Sequence, residues 1–340
     1  MRLEAELSGE AEELARAELA SVAQDVGVRV LEELGPSGGR TVAIDARDID
    51  QGRTLLARLS LTRRIVRDLG DGHRAEGWLR SEGRGGASAS FRRRGHPTSG
   101  GSDALIHRYA QAWKTGGGSI DLGRPARRFW VDASVPGTGE LYEEVGAVDR
   151  TAIRARRISR LPFRRPVGLD PCLARAAANL APAGPGRRIV DPFVGTGALL
   201  AEAALLGAEV VGVDIDLEMI RGAARNLEAV AGRAAQLIGG DAGEVAEQFA
   251  HEEFDAVLTD APYGRASGTA GEPVSELLAR VLPLWAERVR PGGRVVLVTA
   301  GGPDPVPAPW RRTISVSVRQ HRSLTREFRV YERERPSTGR

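Results

Sequence analysis

The chain has 340 residues, of which 41% are hydrophobic and 27% charged, so it is long enough for two or three folded domains and is not a disordered segment. Its only cysteine, Cys172, excludes a disulfide framework or a cysteine-ligated zinc or iron–sulfur site within one chain. We find no secretory signal and no apolar run of about 18 residues. The sequence therefore predicts a cytoplasmic protein that does not span a membrane.

Charge is distributed unevenly along the chain. Residues 51–130 carry 16 basic and 6 acidic side chains, a net charge of +10, and residues 311–340 have a net charge of +6. Residues 171–310 have a net charge of −7. Because polyanions attract basic segments, this pattern favours a protein that contacts a nucleic acid with some parts and a small molecule with its acidic core. A solvated arginine surface is the alternative explanation.

The first 165 residues give weak structural signals. Apolar residues at helical spacing predict helices over 9–23 and 52–69, and a third helix is predicted over 103–115. A stretch rich in Gly, Ser and Arg covers 81–102, and residues 128–131 are predicted as a strand. We therefore expect an α+β arrangement in this part.

From residue 186 onwards, short apolar runs alternate with longer amphipathic ones, which is the pattern of strand–helix–strand units in a parallel sheet. The five predicted strands cover 188–190, 209–213, 235–238, 254–259 and 294–299. Alternation at period two over 313–318 and 328–331 predicts a final antiparallel hairpin. This α/β layout, a Rossmann-like sheet that ends in a hairpin, is typical of class I S-adenosylmethionine-dependent methyltransferases.

The loop after the first of these strands has the features of a nucleotide-type binding site. Its glycines let the backbone approach a ligand closely, and the following helix presents free N–H groups. A dinucleotide fingerprint would need a third glycine at position 200, where the chain has Leu200. The acidic and aromatic opening therefore favours S-adenosylmethionine. The predicted cofactor contacts in this loop are Asp191, Phe193, Gly195, Thr196 and Gly197.

Two further carboxylates follow the next two strands. Asp214 ends the second strand, where a carboxylate can accept hydrogen bonds from both ribose hydroxyls, and Ile215 follows it. Asp241, next to Ala242, follows the third strand and is placed to accept a hydrogen bond from an adenine amino group. Helix capping by Asp214 and a plain turn at Asp241 are the alternatives.

The segment after the fourth strand carries the most informative signal. An exocyclic amine is a poor nucleophile because its lone pair is delocalised into the base ring, so two acceptors must hold its N–H groups. Asp260 Oδ and the Ala261 carbonyl can supply those acceptors, Pro262 fixes the loop, and Tyr263 offers a face for stacking of the target base. A proline turn with a core tyrosine is the structural alternative.

This segment resembles the Asp/Asn-Pro-Pro-Tyr motif of amino-group methyltransferases, with Ala261 in place of the first proline. Residues 166–333 resemble archaeal tRNA guanine N2-methyltransferases that act on the guanosine at position ten, with further matches at 171–175, 191–197 and Asn226-Leu227. The resemblance implies a methyltransferase domain over 166–335, S-adenosylmethionine as cofactor and tRNA as substrate. The product would be N2-methylguanosine or N2,N2-dimethylguanosine.

The same resemblance implies an N-terminal α+β region, assigned to 1–70, a THUMP-like RNA-binding domain over 71–135 and a linker over 136–165. A monomer is expected, and a requirement for a small activator protein stays open. The expected RNA contacts are the basic residues Arg92, Arg93, Arg94, Lys114, Arg127 and Arg128.

Three other functions are weighed against this one. A pyrimidine C5-methyltransferase needs a cysteine nucleophile, but Asp170-Pro171 predicts a helix start, so Cys172 is expected to be a packed core thiol. Adenine N6 methylation of RNA or DNA would use the same acceptor pair. A catalytically silent RNA-binding protein could keep the fold. The spacing of the five histidines predicts no metal site.

Overall fold

The computed structural model describes all residues except 35–39, 95–101, 136–137, 166–167, 234, 263–271, 322–323 and 334–340. The chain divides into two compact units. Unit 1 comprises 1–7, 26–57 and 62–148, and unit 2 comprises 8–25, 58–61 and 149–340. The chain therefore passes from one unit to the other five times.

The elements are numbered in chain order over the described residues. The strands are β1 (Arg2–Leu7), β2 (Arg29–Leu34), β3 (Thr41–Asp45), β4 (Thr62–Asp71), β5 (Ser88–Arg94), β6 (Ser119–Ile120), β7 (Arg127–Val135), β8 (Thr138–Ala147), β9 (Arg188–Asp191), β10 (Glu209–Asp214), β11 (Gln236–Gly239), β12 (Phe254–Asp260), β13 (Val289–Thr299), β14 (Trp310–His321) and β15 (Leu324–Arg333). The helices are α1 (Glu12–Val26), α2 (Ile49–Arg58), α3 (Gly72–Gly83), α4 (Ser102–Thr115), α5 (Arg150–Arg154), α6 (Pro171–Leu180), α7 (Ala198–Leu205), α8 (Leu217–Ala231), α9 (Ala242–Gln248) and α10 (Val274–Glu287).

Unit 1 is built on a mixed eight-stranded sheet with the order β2-β3-β1-β4-β8-β7-β5-β6. Helix α4 packs on β5 and β7, and α3 packs beside it on β4 and β8. The core between these helices and the sheet is aromatic, since Phe91 stacks on Phe129 at a centroid distance of 4.9 Å and Trp113 lies 5.5 Å from the same ring. Buried aromatic rings contribute much of the apolar area that stabilises such a layer.

The structure differs from the predicted boundaries of the N-terminal part. The helix predicted over 52–69 is two elements, because α2 ends at Arg58 and β4 begins at Thr62. Ile65 and Val66 are fully buried where β4 pairs with β1 and β8, so sheet pairing overrides the helical spacing of the apolar residues. Strand β8 lies in the first part of 136–165, the predicted linker. A single sheet contains strands from both 1–70 and 71–135, the two predicted N-terminal regions.

Unit 2 contains a seven-stranded sheet with the order β11-β10-β9-β12-β13-β15-β14. Strands β9 to β13 pair in parallel, and β15 pairs antiparallel with β13 and β14. The predicted parallel sheet with a terminal hairpin is thus confirmed, and the strand order is that of the class I methyltransferase fold. The strand order reverses beside β9, so the carboxyl ends of β9, β10 and β12 converge where open α/β sheets bind ligands.

Helix α1 lies early in the sequence but belongs to unit 2. Its Glu18 side chain is fully buried, and burial raises the pKa of this carboxyl. The carboxyl oxygens accept hydrogen bonds from the backbone N–H groups of Ser60 and Leu61 at 3.0 and 2.9 Å, and from Asn179 Nδ2 at 2.8 Å. These contacts attach α1 and residues 58–61 to α6.

No helix in the described ranges is long and apolar enough to cross a membrane.

Candidate active site

The loop between β9 and α7 is anchored by Asp191. This side chain is 2% exposed, and its Oδ1 accepts hydrogen bonds from the Phe193 N–H at 3.0 Å and from Thr259 Oγ1 at 2.6 Å. Thr259 precedes Asp260 in β12, so the contact joins the loop 191–197, the cofactor loop, to residues 260–262, the acceptor segment. Burial raises the pKa of Asp191 to about 7.

The two glycines of this loop serve different purposes. Gly195 and Gly197 have φ angles of +50° and +80°, a conformation that favours glycine. A Cβ atom on Gly197 would lie 3.3 Å from Ala223 Cβ, so this glycine permits close packing of the loop on α8. The nearest atom to a Cβ on Gly195 would be the Phe193 carbonyl oxygen at 3.9 Å. The space beside Gly195 is therefore open to a ligand.

Asp214 lies at the end of β10 and orders the adjacent backbone. Its Oδ2 accepts a hydrogen bond from the Gly195 N–H at 2.9 Å, and its Oδ1 accepts one from the Asp216 N–H at 2.9 Å. Burial raises the pKa of Asp214. The N-cap of α8 is Asp216, which accepts from the Glu218 N–H, so the capping role weighed for Asp214 belongs to its neighbour.

Two large apolar side chains next to Asp214 face solvent. Ile215 is 48% exposed and Leu217 is 55% exposed, at the start of α8. An apolar surface beside a carboxylate that can bind hydroxyl groups suits a nucleoside, whose ring needs apolar contacts and whose ribose needs acceptors. The open backbone at Gly195, the acceptor carboxylate of Asp214 and the apolar side chains next to it therefore fit S-adenosylmethionine.

Asp241 does not present a free carboxylate in this structure. It is the N-cap of α9, and its two oxygens pair with Arg280 Nη1 and Nη2 at 2.9 and 3.0 Å. These bonds hold the pKa of Asp241 below its usual range. Arg280 also pairs with Glu272, and the next residue, Ala242, is buried and accepts from Trp285 Nε1 at 2.9 Å.

The acceptor segment begins at the end of β12. Ala261 is 1% exposed, and its N–H donates to the Val298 carbonyl at 2.8 Å, so the backbone continues along β13 after Asp260. The Asp260 carboxylate is 22% exposed and forms an ion pair with Arg326 of β15. Pro262 is partly buried, and Tyr263 lies outside the described residues.

Asn226 connects the cofactor loop to the chain segment before α6, a role that the sequence does not reveal. Its buried amide donates from Nδ2 to the carbonyl oxygens of Thr196 and Phe163, each at 3.0 Å, and its Oδ1 accepts from the Phe163 N–H at 2.9 Å. In the sequence Asn226 is visible only as a match to the family pattern. The three bonds fix the loop backbone at Thr196.

Two of the arginine residues expected to bind RNA form ion pairs within unit 1. Arg94 pairs with Glu4 and Glu6, each at 2.7 Å, and is only 11% exposed, and Arg127 pairs with Glu143. Both guanidinium groups are committed to carboxylates of other strands in the same sheet. Charge counted along a sequence does not distinguish such pairs from a free basic surface.

The other four expected RNA contacts are more accessible. Arg92 and Lys114 are exposed, and Arg92 Nη2 donates to the Leu122 carbonyl at 3.2 Å. Arg93 pairs with Asp103 at 2.9 Å. Arg128 is 45% exposed and lies 3.7 Å from Glu144. Arg92 and Lys114 are thus the best placed of the six for contact with a polyanion.

Cys172 lies at the start of α6, as predicted. Asp170 is the N-cap and accepts from the Cys172 N–H at 2.9 Å, while Pro171 occupies the first turn. The thiol is buried, and burial raises its pKa, which disfavours the nucleophilic thiolate. Within the described ranges, no group of three His, Cys, Asp or Glu side chains could hold a metal ion.

Comparison with protein families assigns a domain to this part of the chain. Residues 158–321 match the family described as UPF0020: RMKL-like, methyltransferase domain. The chain is 34% identical over 197 residues to the tRNA (guanine(10)-N2)-dimethyltransferase of Methanothermobacter thermautotrophicus and 37% identical over 183 residues to that of Pyrococcus abyssi. These matches cover 57% and 52% of this chain and 57% and 54% of the relatives, so the chain spans about half of their length.

A further relative is the tRNA (guanine(6)-N2)-methyltransferase of Thermus thermophilus, which is 34% identical over 65% of this chain and 64% of its own length. Among solved structures, TrmN from Thermus thermophilus has a TM-score of 0.53 at 23% identity and covers 98% of this chain and 100% of its own. A possible methylase from Clostridium difficile 630 has a TM-score of 0.52 at 16% identity and covers 99% of each chain. The structures show the fold, and the family match shows that the chain contains a methyltransferase domain.

Proposed function

We propose that this chain, with its methyltransferase domain, is an S-adenosylmethionine-dependent tRNA methyltransferase that modifies the N2 amine of a guanosine. The observation that carries the proposal is the position of Asp260, Ala261 and Pro262 at the carboxyl end of β12, beside the cofactor loop that Asp191 anchors. Three archaeal relatives of 31–37% identity are named as guanine N2-dimethyltransferases of tRNA.

The residues of the cofactor loop fit S-adenosylmethionine, which supplies an electrophilic methyl group on a sulfonium. Gly195 lets the backbone approach the ligand, and Asp214 accepts hydrogen bonds from the ribose. Ile215 provides an apolar contact for the adenine ring. We infer that the shape of this site depends on Asp191, Phe193, Thr196, Gly197 and Ala242. Asp241 would contact the adenine amino group only if it shared its carboxylate with Arg280.

Asp260 and the Ala261 carbonyl act on the target base. Each accepts one N–H bond of the exocyclic amine, which turns the nitrogen lone pair towards the methyl group. When bound, S-adenosylmethionine would supply the methyl group to this nitrogen and leave as the neutral thioether, and the nitrogen would lose one proton to solvent. The step has no covalent enzyme intermediate, in agreement with the buried Cys172 thiol. Tyr263 completes the site by stacking on the base.

We propose that unit 1 binds the tRNA, as a THUMP-like domain would, with Arg92 and Lys114 among its phosphate contacts. A target base within a paired stem must be extruded before it reaches Asp260, and the rest of the tRNA must be held in place meanwhile. The reaction belongs in the cytoplasm, and the enzyme acts as a monomer. A small activator protein is a testable addition to the assay.

We place the target at guanosine ten, the position named for the archaeal relatives, with position six of the Thermus thermophilus relative as the second candidate. The test is incubation of the full chain with labelled S-adenosylmethionine and unmodified tRNA transcripts, with and without substitution of guanosine 6 or 10. Digestion to nucleosides should give N2-methylguanosine, with or without the dimethyl product. N6-methyladenosine would contradict the substrate assignment. Absence of methyl transfer to any transcript would favour a catalytically silent RNA-binding protein.

A further inference from the structure

A buried arginine contacts the carboxylate that we assign to the target amine. Arg326 lies in β15, and its side chain is 1% exposed. Its Nη1 donates to Asp260 Oδ1 and, at 2.6 Å, to Asp260 Oδ2. Arg326 reaches Asp260 across β13, because Val298 of β13 pairs with both Asp260 and Phe328. The antiparallel hairpin that ends the sheet thus provides a direct partner for the acceptor segment.

The placement of Arg326 is unusual for a charged side chain. Phe328 and Val330 lie two and four residues further along β15 on the same face, and both are fully buried. A guanidinium in such surroundings needs an anionic partner, because the desolvation of an uncompensated charge is very unfavourable. Asp260 is an anionic partner of this kind, and its carboxylate is thereby fixed in direction.

We propose that Arg326 is a positioning residue for methyl transfer, an inference that rests on the proposed function. It holds the Asp260 carboxylate in one orientation, so that an oxygen lone pair is directed at the amine of the target base. Arg326 therefore acts on the rate through Asp260 and does not touch the substrate.

One consequence concerns Asp260→Asn, although Asn is the other residue in the motif that this segment resembles. An amide keeps one acceptor oxygen but removes the negative charge that Arg326 contacts at this position. We therefore expect Asp260→Asn to be poorly tolerated while Arg326 is present. The double variant Asp260→Asn/Arg326→Gln, which is neutral at both positions, should recover part of the loss.

The test measures kcat of the full chain at saturating S-adenosylmethionine and tRNA, and separately the Kd of each. Arg326→Gln should lower kcat by about 100-fold, the scale expected when one contact in the transition state is misaligned, with both Kd values within about twofold of the wild type. Arg326→Lys, which keeps the charge but not the planar fork, should retain an intermediate kcat. The double variant should be about tenfold faster than Asp260→Asn alone.

Arg329 provides a matched control in the same strand. Its side chain is 6% exposed and pairs with Glu327 and Asp304, so Arg329→Gln also removes a buried guanidinium from its ion pairs but does not touch Asp260. The folded fraction of the Arg329→Gln variant should have the wild-type kcat. Equal losses of kcat in the two glutamine variants would show that Arg326 only stabilises the fold. If Arg326→Gln does not fold, an unchanged kcat in Arg326→Lys together with no recovery in the double variant would overturn the proposal.

The two proposals fail in different ways. A wild-type chain that transfers no methyl group overturns both of them. An active wild type whose kcat is unaffected by Arg326→Gln overturns only the role of Arg326. An active wild type that forms N6-methyladenosine overturns the guanosine assignment, and the same kcat comparison then decides the role of Arg326 for that product.

Discussion

Asn179 Nδ2 donates a hydrogen bond of 2.8 Å to Glu18 Oε1 across a sequence separation of 161 residues, and both side chains are fully buried. The second donor bond of the amide, at 3.0 Å, goes to the Arg58 carbonyl. One amide group in α6 therefore binds both parts of the N-terminal sequence that belong to unit 2. Unit 2, which contains the family match at 158–321, therefore also includes residues that precede this match in the sequence.

Glu18→Ala should destabilise the protein markedly. The substitution leaves the N–H groups of Ser60 and Leu61 and the amide of Asn179 buried without their acceptor, at a cost of about 3 kcal/mol. Urea unfolding monitored by tryptophan fluorescence measures this loss. Glu13→Ala, at an exposed position of the same helix, is the control and should change stability by less than about 0.5 kcal/mol. Equal values for the two variants would contradict the assigned role of Glu18.

A fragment of residues 150–340 should not fold cooperatively. It lacks α1 and residues 58–61, so it exposes the face of α6 that these segments cover and leaves Asn179 without its Glu18 partner. Circular dichroism and titration with S-adenosylmethionine test this expectation. A fragment that unfolds cooperatively and binds the cofactor like the full chain would show that the N-terminal segments are dispensable for unit 2.

Substitution of Asp214 and of Asp260 should separate binding from chemistry. Asp214→Ala removes the acceptor of the Gly195 N–H and the proposed ribose contact, so the Kd of S-adenosylmethionine should rise at least tenfold, or about 1.4 kcal/mol. Asp260→Ala should leave that Kd within about threefold of the wild type but lower kcat by about 100-fold or more. Calorimetric titration and initial rates measure the two effects. Indistinguishable Kd values in the two variants would contradict this division.

The affinity for S-adenosylmethionine should depend on pH through Asp191. Burial raises its pKa to about 7, so the ligand-free protein holds a proton there at lower pH. The unfolded chain releases that proton near pH 4, so the contribution of Asp191 to stability falls as the pH rises from about 4 to 7. A bound sulfonium favours the carboxylate, and the affinity should therefore rise by up to about tenfold per pH unit below pH 7 and level off above it.

S-adenosylhomocysteine, which has a neutral thioether, is the matched ligand for this experiment and should show a weaker slope. Asp191→Asn should flatten the slope for S-adenosylmethionine. Titrations of both ligands between pH 5.5 and 8.5 supply the comparison. Identical slopes for the two ligands would exclude a charge interaction between Asp191 and the sulfonium as the source of the pH dependence.

Charge reversal in unit 1 should distinguish surface arginines from structural ones. Arg92→Glu with Lys114→Glu should raise the Kd of tRNA and lower its salt dependence by about one unit of log–log slope per lost phosphate contact. Arg94→Glu should instead unfold unit 1, because it places a third carboxylate beside Glu4 and Glu6. Thermal unfolding and filter binding at several salt concentrations measure these outcomes. Arg29→Glu with Arg47→Glu, which alters side chains that are 73% and 79% exposed, controls for the same change in net charge.

The sequence was most informative about the parallel sheet of unit 2. The apolar runs of β9, β10 and β12 are buried on both faces, so short hydrophobic segments between helices predict a parallel sheet and place Asp191, Asp214 and Asp260 at one edge. In unit 1 the apolar spacing continues from α2 into β4, and only pairing with β1 and β8 separates the two elements.

Side-chain partners were harder to predict than elements. Glu18 has the sequence context of a solvent-facing residue in an amphipathic helix, and its partners are distant in the chain. The Asp241 carboxylate is paired with Arg280, and nothing in the local sequence predicts this contact. Arg326 did leave a signal, since it lies at strand spacing from Phe328 and Val330, where an apolar residue is expected.

The contact between Glu18 and Asn179 also sets an order of events during synthesis. At a typical rate of about 5 to 20 residues per second, α1 leaves the ribosome about 8 to 30 s before the 161 further residues that bring Asn179. Unit 1 ends at residue 148, so its sheet can form during that interval while α1 still lacks its contacts with α6. A chaperone that binds amphipathic helices would meet α1 in this state, and a stop codon before α6 would leave it exposed permanently.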